Sequence, residues 1–112
     1  MKFSQSLKKN IDFQEVYKKG NSFANKYLVI YILENSLTIN RLGISVSKKV
    51  GNSVVRHRLT RLIREIYRIN EELFLDGLDI VVIARPGAKD KNYNEIESAL
   101  LHLGKIHKVF KS

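Results

Sequence analysis

Residues 45–68 read SVSKKVGNSVVRHRLTRLIREIYR, and they join the end of a strand to a long helix. Just before and within this stretch, Leu42, Ile44 and Val46 alternate with small residues, which is the period of a half-buried strand. Gly51 and Asn52 interrupt the alternation. Apolar residues then recur at spacings of four and three, as in a helix packed on a core. They are Val55, Leu59, Leu62, Ile66, Ile69 and Leu73.

On the N-terminal side, the sequence predicts one helix and two further strands. Asn10 is expected to cap the helix, and Gly20 is expected to end it. Residues 22–24 and 27–33 read as extended, the second segment being rich in β-branched and aromatic residues. A turn at Asn35 then leads to the strand that contains Leu42, Ile44 and Val46.

On the C-terminal side, Asp76 and Gly77 are expected to close the long helix. Residues 80–84 are apolar throughout, which predicts a strand covered on both faces. Asn92 and Glu95 have the spacing of a capping box, so a last helix is expected to begin there. The predicted order of elements is therefore α, β, β, β, α, β, α, within a single domain over residues 1–112.

Composition limits the classes of function. The 112 residues carry a formal net charge of +9, which points to a polyanionic partner and to nucleic acid before an acidic membrane surface. The chain has no cysteine, which excludes disulfides, thiolate zinc sites and cysteine nucleophiles. Its apolar runs are far shorter than the ~20 residues of a membrane span. We expect a cytoplasmic protein without membrane association.

The positive charge is concentrated in residues 41–68, which contain eight Lys or Arg residues and one acid, Glu65. At 100° per residue, four of the arginines lie within roughly 120° of one another and opposite the apolar stripe. They are Arg58, Arg61, Arg64 and Arg68. A solvated helix face usually mixes charges of both signs, so this arrangement favours a surface that binds phosphates. Lys48 and Lys49 precede the helix N-terminus, which itself attracts anions.

Two aromatic residues, Phe13 and Tyr17, lie one turn apart on the first helix. From the residues alone, their ordinary interpretation is as core. The histidines are His57, His102 and His107, and the last two do not have the spacing of metal ligands on a helix. The sequence shows no protein-based active site.

Residues 45–65 closely resemble the signature of the bacterial ribonuclease P protein component: Ser-Lys-Lys, then Gly-Asn, then closely spaced arginines. Residues 7–17 and 83–85 are similar to that family's first helix and last strand. The resemblance implies an α+β fold, an α/β sandwich in which a four-stranded sheet has a left-handed β-α-β crossover, as in a ribosomal protein domain. It also implies a subunit of an endoribonuclease that removes the 5′ leader of precursor tRNA. Its partners would be the ribonuclease P RNA, bound one to one by a monomeric protein, and the precursor tRNA.

The resemblance also assigns roles to residues, with the catalytic centre and its Mg²⁺ held mainly by the RNA and none of the catalytic groups in the protein. The residues expected to bind the RNA subunit are Lys48, Lys49, Asn52, Arg56, His57, Arg58, Arg61, Arg64 and Arg68. Those expected to bind the leader are Phe13, Tyr17, Tyr31 and Ser45. The chain departs from the family pattern at His57, where an asparagine is usual, and at Thr60, where lysine is frequent. Any metal site on the protein itself is left open.

Three alternatives remain open at this point. The chain could be a ribosomal-type or DNA-binding module that takes no part in catalysis. It could be a basic protein of membrane surfaces, although the apolar stripe of the long helix would then have to leave the core. It could also be a nuclease that acts without RNA, which would require the purified polypeptide to cleave RNA by itself.

Overall fold

Helices cover both faces of a five-stranded sheet in the computed structural model, which describes residue 1 and residues 3–112. The sheet order is β1-β4-β5-β3-β2. The strands are β1 (Ser4–Ser6), β2 (Asn21–Ala24), β3 (Leu28–Glu34), β4 (Asn40–Ser45) and β5 (Leu78–Ala84), and the helices are α1 (Asn10–Lys19), α2 (Ser53–Asn70) and α3 (Tyr93–His107). Single 3₁₀ turns lie at Glu71–Leu73 and Pro86–Ala88.

The predicted α, β, β, β, α, β, α order is confirmed, but the expected four-stranded sheet is wrong by one strand. The additional strand, β1, pairs in parallel with β4 at the edge of the sheet. Its three residues, Ser-Gln-Ser, have no apolar alternation. They form a strand because Ser4 to Ser6 align with Asn40 to Leu42, and the Leu7 N–H then donates to the Leu42 carbonyl at 2.8 Å.

Strand β5 is the centre of the molecule. It pairs in parallel with β4, to which α2 connects it, and antiparallel with β3. Its residues are buried on both faces of the sheet, as the apolar run predicted: Val82 faces the main core, and Val81 faces a smaller cluster. The main core lies between the sheet and helices α2 and α3, and its largest sheet residues are Leu28, Ile30, Leu42 and Ile80.

The buried face of α2 differs from the predicted stripe. Leu59 and Ile66 are buried as expected, together with Ile63 and Tyr67. Ile69 is instead 54% exposed, since the helix is rotated so that Tyr67 points inward. The Tyr67 ring packs against Phe74, with ring centroids 5.3 Å apart, and its hydroxyl lies 2.8 Å from the hydroxyl of Ser4 on β1.

Leu73, the last residue of the predicted stripe, lies beyond the end of α2. The helix ends at Asn70 and passes into a 3₁₀ turn, where Leu73 is exposed. The predicted helix end at Asp76 and Gly77 therefore lies about one and a half turns beyond the observed end. Gly77 nevertheless adopts a positive φ of 81°.

Of the two N-terminal caps predicted, the one at Asn92 is confirmed and the one at Asn10 is wrong, and the structure adds a third at Asn52. Asn52 caps α2 by accepting the Val55 N–H at 3.0 Å, and Asn92 forms the predicted capping box of α3. The predicted cap of α1 by Asn10 is wrong, because Asn10 is the first helical residue and Lys9 occupies the cap position without a side-chain bond.

Within residues 1 and 3–112, α1 is the helix that covers the second face of the sheet. Val16 packs there against Leu7 and Val81, and Phe13 and Tyr31 extend the cluster toward solvent. A helix of ten residues is about 15 Å long and 10–12 Å wide, so in either orientation it spans less than the roughly 19 Å between the outer strands of a five-stranded sheet. Part of this face therefore stays open.

Arg41 belongs to the fold rather than to the exposed basic surface, although its place in the sequence put it in the basic stretch. Its guanidinium donates two bonds to the Asp79 carboxylate, at 2.8 and 2.6 Å, across β4 and β5. Asn35 donates a third at 2.9 Å. The two bonds to Asp79 raise the pKa of Arg41 and link residues that are 38 positions apart in sequence.

Replacing Asp79 with alanine is expected to lower the free energy of unfolding by about 3 kcal/mol, because it leaves the partly buried Arg41 charge without its acceptor. Urea denaturation followed by circular dichroism measures this change. The control is Glu65→Ala, which removes a carboxylate from an exposed pair with Arg68 and is expected to change little. Equal urea midpoints for the two variants would contradict this role of Asp79.

Candidate nucleic-acid interface

Three aromatic side chains line the open part of the second sheet face. Phe13 and Tyr17 come from α1 and Tyr31 from β3, with ring centroids 6.3 Å apart for the first pair and 5.1 Å for the second. Ser45, at the end of β4, completes the group. We call these four residues the aromatic cleft. The cavity beside it has a volume of ≈ 280 Å³ and is lined by Asn10, Phe13, Gln14, Tyr17, Ile44 and Ser45.

Tyr17 is the most accessible member of the aromatic cleft, with 38% of its surface exposed. Partial burial raises the pKa of its hydroxyl, and a hydrogen bond with the Ser45 side chain opposes that rise. The phenol is therefore neutral near pH 7, and one edge of its ring is held against Tyr31. The rest of the ring can stack on a planar ligand.

Phe13 owes its position to Gly43, which sequence reasoning did not single out. A Cβ at Gly43 would lie 2.6 Å from Phe13 Cζ and 2.7 Å from Cε1. The ring thus lies directly on the β4 backbone, half-buried and in contact with the Leu7 cluster. Phe13 is both core and cleft wall. The small residues that alternate along β4 were the signal for this contact.

The four outward arginines of α2 are all exposed, as predicted, but three of them have partners in the protein. Arg68 pairs with Glu65 at 3.0 Å, and Arg64 donates to the Ser6 hydroxyl at 3.2 Å. Arg58 donates to backbone carbonyls before α3. Among the described residues, Arg61 has neither a hydrogen bond nor an ion pair. We call the outward surface formed by Arg58, Arg61, Arg64 and Arg68, together with His57, the Arg face.

The start of α2 carries the remaining predicted residues. Lys48 and Lys49 are exposed in the turn, whereas the Asn52 side chain is already used in capping. Arg56 is half-buried, and its Nε is buried without a hydrogen-bond partner within residues 1 and 3–112. At 100° per residue, Arg56 lies on a different side of α2 from the Arg face. The Thr60 hydroxyl donates to the Arg56 carbonyl at 2.9 Å, so its hydrogen bond is made within α2.

The histidines on α3 have structural partners. His107 Nε2 donates to the Ile30 carbonyl at 2.8 Å, and burial of the ring lowers the pKa of His107. His102 Nδ1 lies 3.3 Å from the Asn25 amide. The described part of the chain contains no group of three or more His, Cys, Asp or Glu residues that could hold a metal ion. None of its helices is long and apolar enough to cross a membrane.

Comparison with known proteins gives the family. The model of the family described as "Ribonuclease P" matches residues 1–108. The chain belongs to the ribonuclease P protein family. The ribonuclease P protein component of Lachnoclostridium phytofermentans is 65% identical over 109 residues, which cover 97% of this chain and 94% of that protein. The equivalent protein of Alkaliphilus oremlandii is 55% identical and covers the whole chain.

Solved structures of family members share the fold. The Staphylococcus aureus RNase P protein superposes with a TM-score of 0.87 at 48% identity, covering 95% of this chain and 97% of that one. The Thermotoga maritima protein gives a TM-score of 0.82 at 34% identity, covering 88% and 94%. The predicted family and α+β fold are thus confirmed.

Gly43→Ala is expected to displace the Phe13 ring, since the added methyl group overlaps it. The cost should be about 1–3 kcal/mol of stability, with loss of the nuclear Overhauser contacts between the Phe13 and Tyr17 rings. Adding Phe13→Leu to Gly43→Ala should recover part of the stability, because the smaller side chain leaves room for the methyl group. An unchanged urea midpoint together with intact ring contacts in Gly43→Ala would refute this packing.

Proposed function

We propose that this chain is the protein subunit of ribonuclease P. It binds the ribonuclease P RNA and the 5′ leader of precursor tRNA, and it promotes the Mg²⁺-dependent endonucleolytic removal of the leader. The observation that carries the proposal is the aromatic cleft on the sheet face that α1 leaves open, in a family member with a net charge of +9.

The aromatic cleft suits a single strand rather than a duplex. Unpaired bases stack on aromatic side chains, whereas the bases of a duplex are already stacked on one another. Tyr17 offers an accessible ring, Phe13 and Tyr31 form the wall, and the Ser45 hydroxyl adds a polar group. A leader strand that crosses the cleft would therefore bind through base stacking with little dependence on sequence.

The Arg face and the turn before it suit the RNA subunit. Guanidinium groups pair with two phosphate oxygens at once, and Arg61 has its donors free of other described residues. Exchange of the Arg68–Glu65 pair for an RNA phosphate costs little, because exposed ion pairs are weak. Lys48, Lys49 and the positive end of α2 extend the same surface toward Ser45. One protein can thus contact the RNA subunit and the leader together.

In this proposal the catalytic centre belongs to the RNA subunit. Mg²⁺ is held mainly by the RNA, and the polypeptide supplies binding groups and no general base. The protein acts as a monomer, one per RNA, in the cytoplasm. Its contribution is affinity for the leader, which distinguishes precursor from mature tRNA.

The test is reconstitution with a bacterial ribonuclease P RNA at low Mg²⁺. Mature 5′ ends are expected only when protein and RNA are both present.

Tyr17→Ala should weaken binding of precursor tRNA by about 1–3 kcal/mol and leave binding of leaderless tRNA unchanged, since the variant removes the ring on which the leader bases stack. Ile11→Ala serves as the matched control, because Ile11 is an exposed residue of the same helix outside the cleft.

Three results would contradict the proposal. RNA binding without rescue of cleavage would indicate a general RNA-binding module. Cleavage by the polypeptide alone would indicate a protein nuclease. An equal loss of precursor and leaderless tRNA binding in Tyr17→Ala would remove the leader from the cleft.

A further inference from the structure

Arg58 reaches from α2 to the backbone of the loop that leads into α3. Its Nη2 donates to the Lys89 carbonyl at 2.7 Å, and its Nη1 donates to the Lys91 carbonyl at 3.3 Å. The two carbonyls lie 31 and 33 residues further along the chain. A guanidinium has donors on separate nitrogens in one plane and can bridge two such acceptors, which the single nitrogen of lysine does less well.

The loop itself, residues 85–91, which we call the α3 entry loop, is compact. The N–H groups of Ala88, Lys89 and Lys91 donate to carbonyls within the loop, at 2.9, 3.2 and 3.1 Å. Ala88 is fully buried and anchors it in the core. The carbonyls of Lys89 and Lys91 turn toward α2, where Arg58 meets them. Arg58 thereby fixes the loop against the edge of the Arg face.

The α3 entry loop has a net positive charge, with Arg85, Lys89 and Lys91 against one acid, Asp90. Lys89 is exposed, and its ammonium has no hydrogen bond or ion pair among residues 1 and 3–112. The Lys91 ammonium lies 5.3 Å from the centroid of the Tyr27 ring and 3.8 Å from the Glu95 carboxylate. At 3.8 Å and partly exposed, that ion pair is weak and can yield to a phosphate.

We propose that the α3 entry loop is a second phosphate-binding surface for RNA, continuous with the Arg face. In it, Lys89 and Lys91 bind phosphates, and Arg58 is the positioning residue that holds them in line with α2. The inference rests on the proposed function, because it extends the surface offered to the RNA subunit. RNA is the partner that this geometry favours, since the two lysines continue a surface whose other cations already face outward.

The test measures affinity for a bacterial ribonuclease P RNA across a range of salt concentrations. The Lys89→Ala/Lys91→Ala variant should flatten the slope of log K against log salt by roughly 1.4–1.8, which is the contribution of two phosphate contacts. The affinity lost between 50 and 200 mM salt then shrinks by about tenfold. The matched control is Lys105→Ala/Lys111→Ala, which removes one exposed charge from the last turn of α3 and one from the segment after it, and it should leave the slope unchanged.

Arg58→Ala separates positioning from direct contact. It removes one charge, yet its slope should flatten by more than the 0.7–0.9 of a single contact, because the loop lysines lose their placement as well. In the Lys89→Ala/Lys91→Ala background, Arg58→Ala should weaken binding by less than it does alone. Arg58→Lys keeps the positive charge but cannot bridge the carbonyls of Lys89 and Lys91. Its slope of log K against log salt should therefore remain flatter than that of the wild-type protein.

The outcomes divide clearly. If the lysine pair behaves like its control while the wild-type protein binds RNA and rescues cleavage, the α3 entry loop is not a binding surface. If the fold-losses in RNA affinity caused by Arg58→Ala and by Lys89→Ala/Lys91→Ala simply multiply in the combined variant, Arg58 does not act through the loop. If the wild-type protein neither binds the RNA nor supports cleavage, the proposed function fails, and this inference fails with it.

Discussion

Burial of β5 on both faces is the constraint on which the rest of the structure depends. A strand with Val81 on one face and Val82 on the other needs cover on both sides of the sheet. Helices α2 and α3 supply it on one side over a large core. On the other side the short helix α1 covers only the middle, so the aromatic cleft remains open beside it. The binding surface thus exists because the helices cover one face of the sheet more completely than the other.

Some of the charged residues stabilise the fold, and others remain available to bind a partner. Arg41 is bound to Asp79 inside the sheet and contributes to stability. On α2, like charges repel one another, and the fold satisfies only some of them: Arg58 and Arg64 bind groups at opposite edges of the helix, and Arg61 between them is left to solvent. A helix surface that repels itself in the free protein gains most from an anionic partner.

The sequence predicted what depends on local pattern, namely seven elements, the capping box at Asn92 and the outward side of α2. It could not predict β1, because a strand of three polar residues exists only through its partner β4. Nor could it place Tyr67 in the core, since the hydroxyl partner of Tyr67 is Ser4, 63 residues away in the sequence. Contacts between distant residues, such as Arg58 with Lys89, leave no periodic signal. The cleft residues came from family resemblance, and the packing of Phe13 on Gly43 explains their arrangement.

The most direct measurement uses the absence of cysteine from the chain. Ser22→Cys places a single thiol on the exposed strand position opposite Tyr31, and Ser53→Cys places one in the first turn of α2. An iron chelate attached to each thiol generates hydroxyl radicals that cut nearby RNA in the complex with ribonuclease P RNA and precursor tRNA. We expect cuts in the 5′ leader from position 22 and cuts in the RNA subunit from position 53. Cuts at position 22 that spare the leader would contradict it.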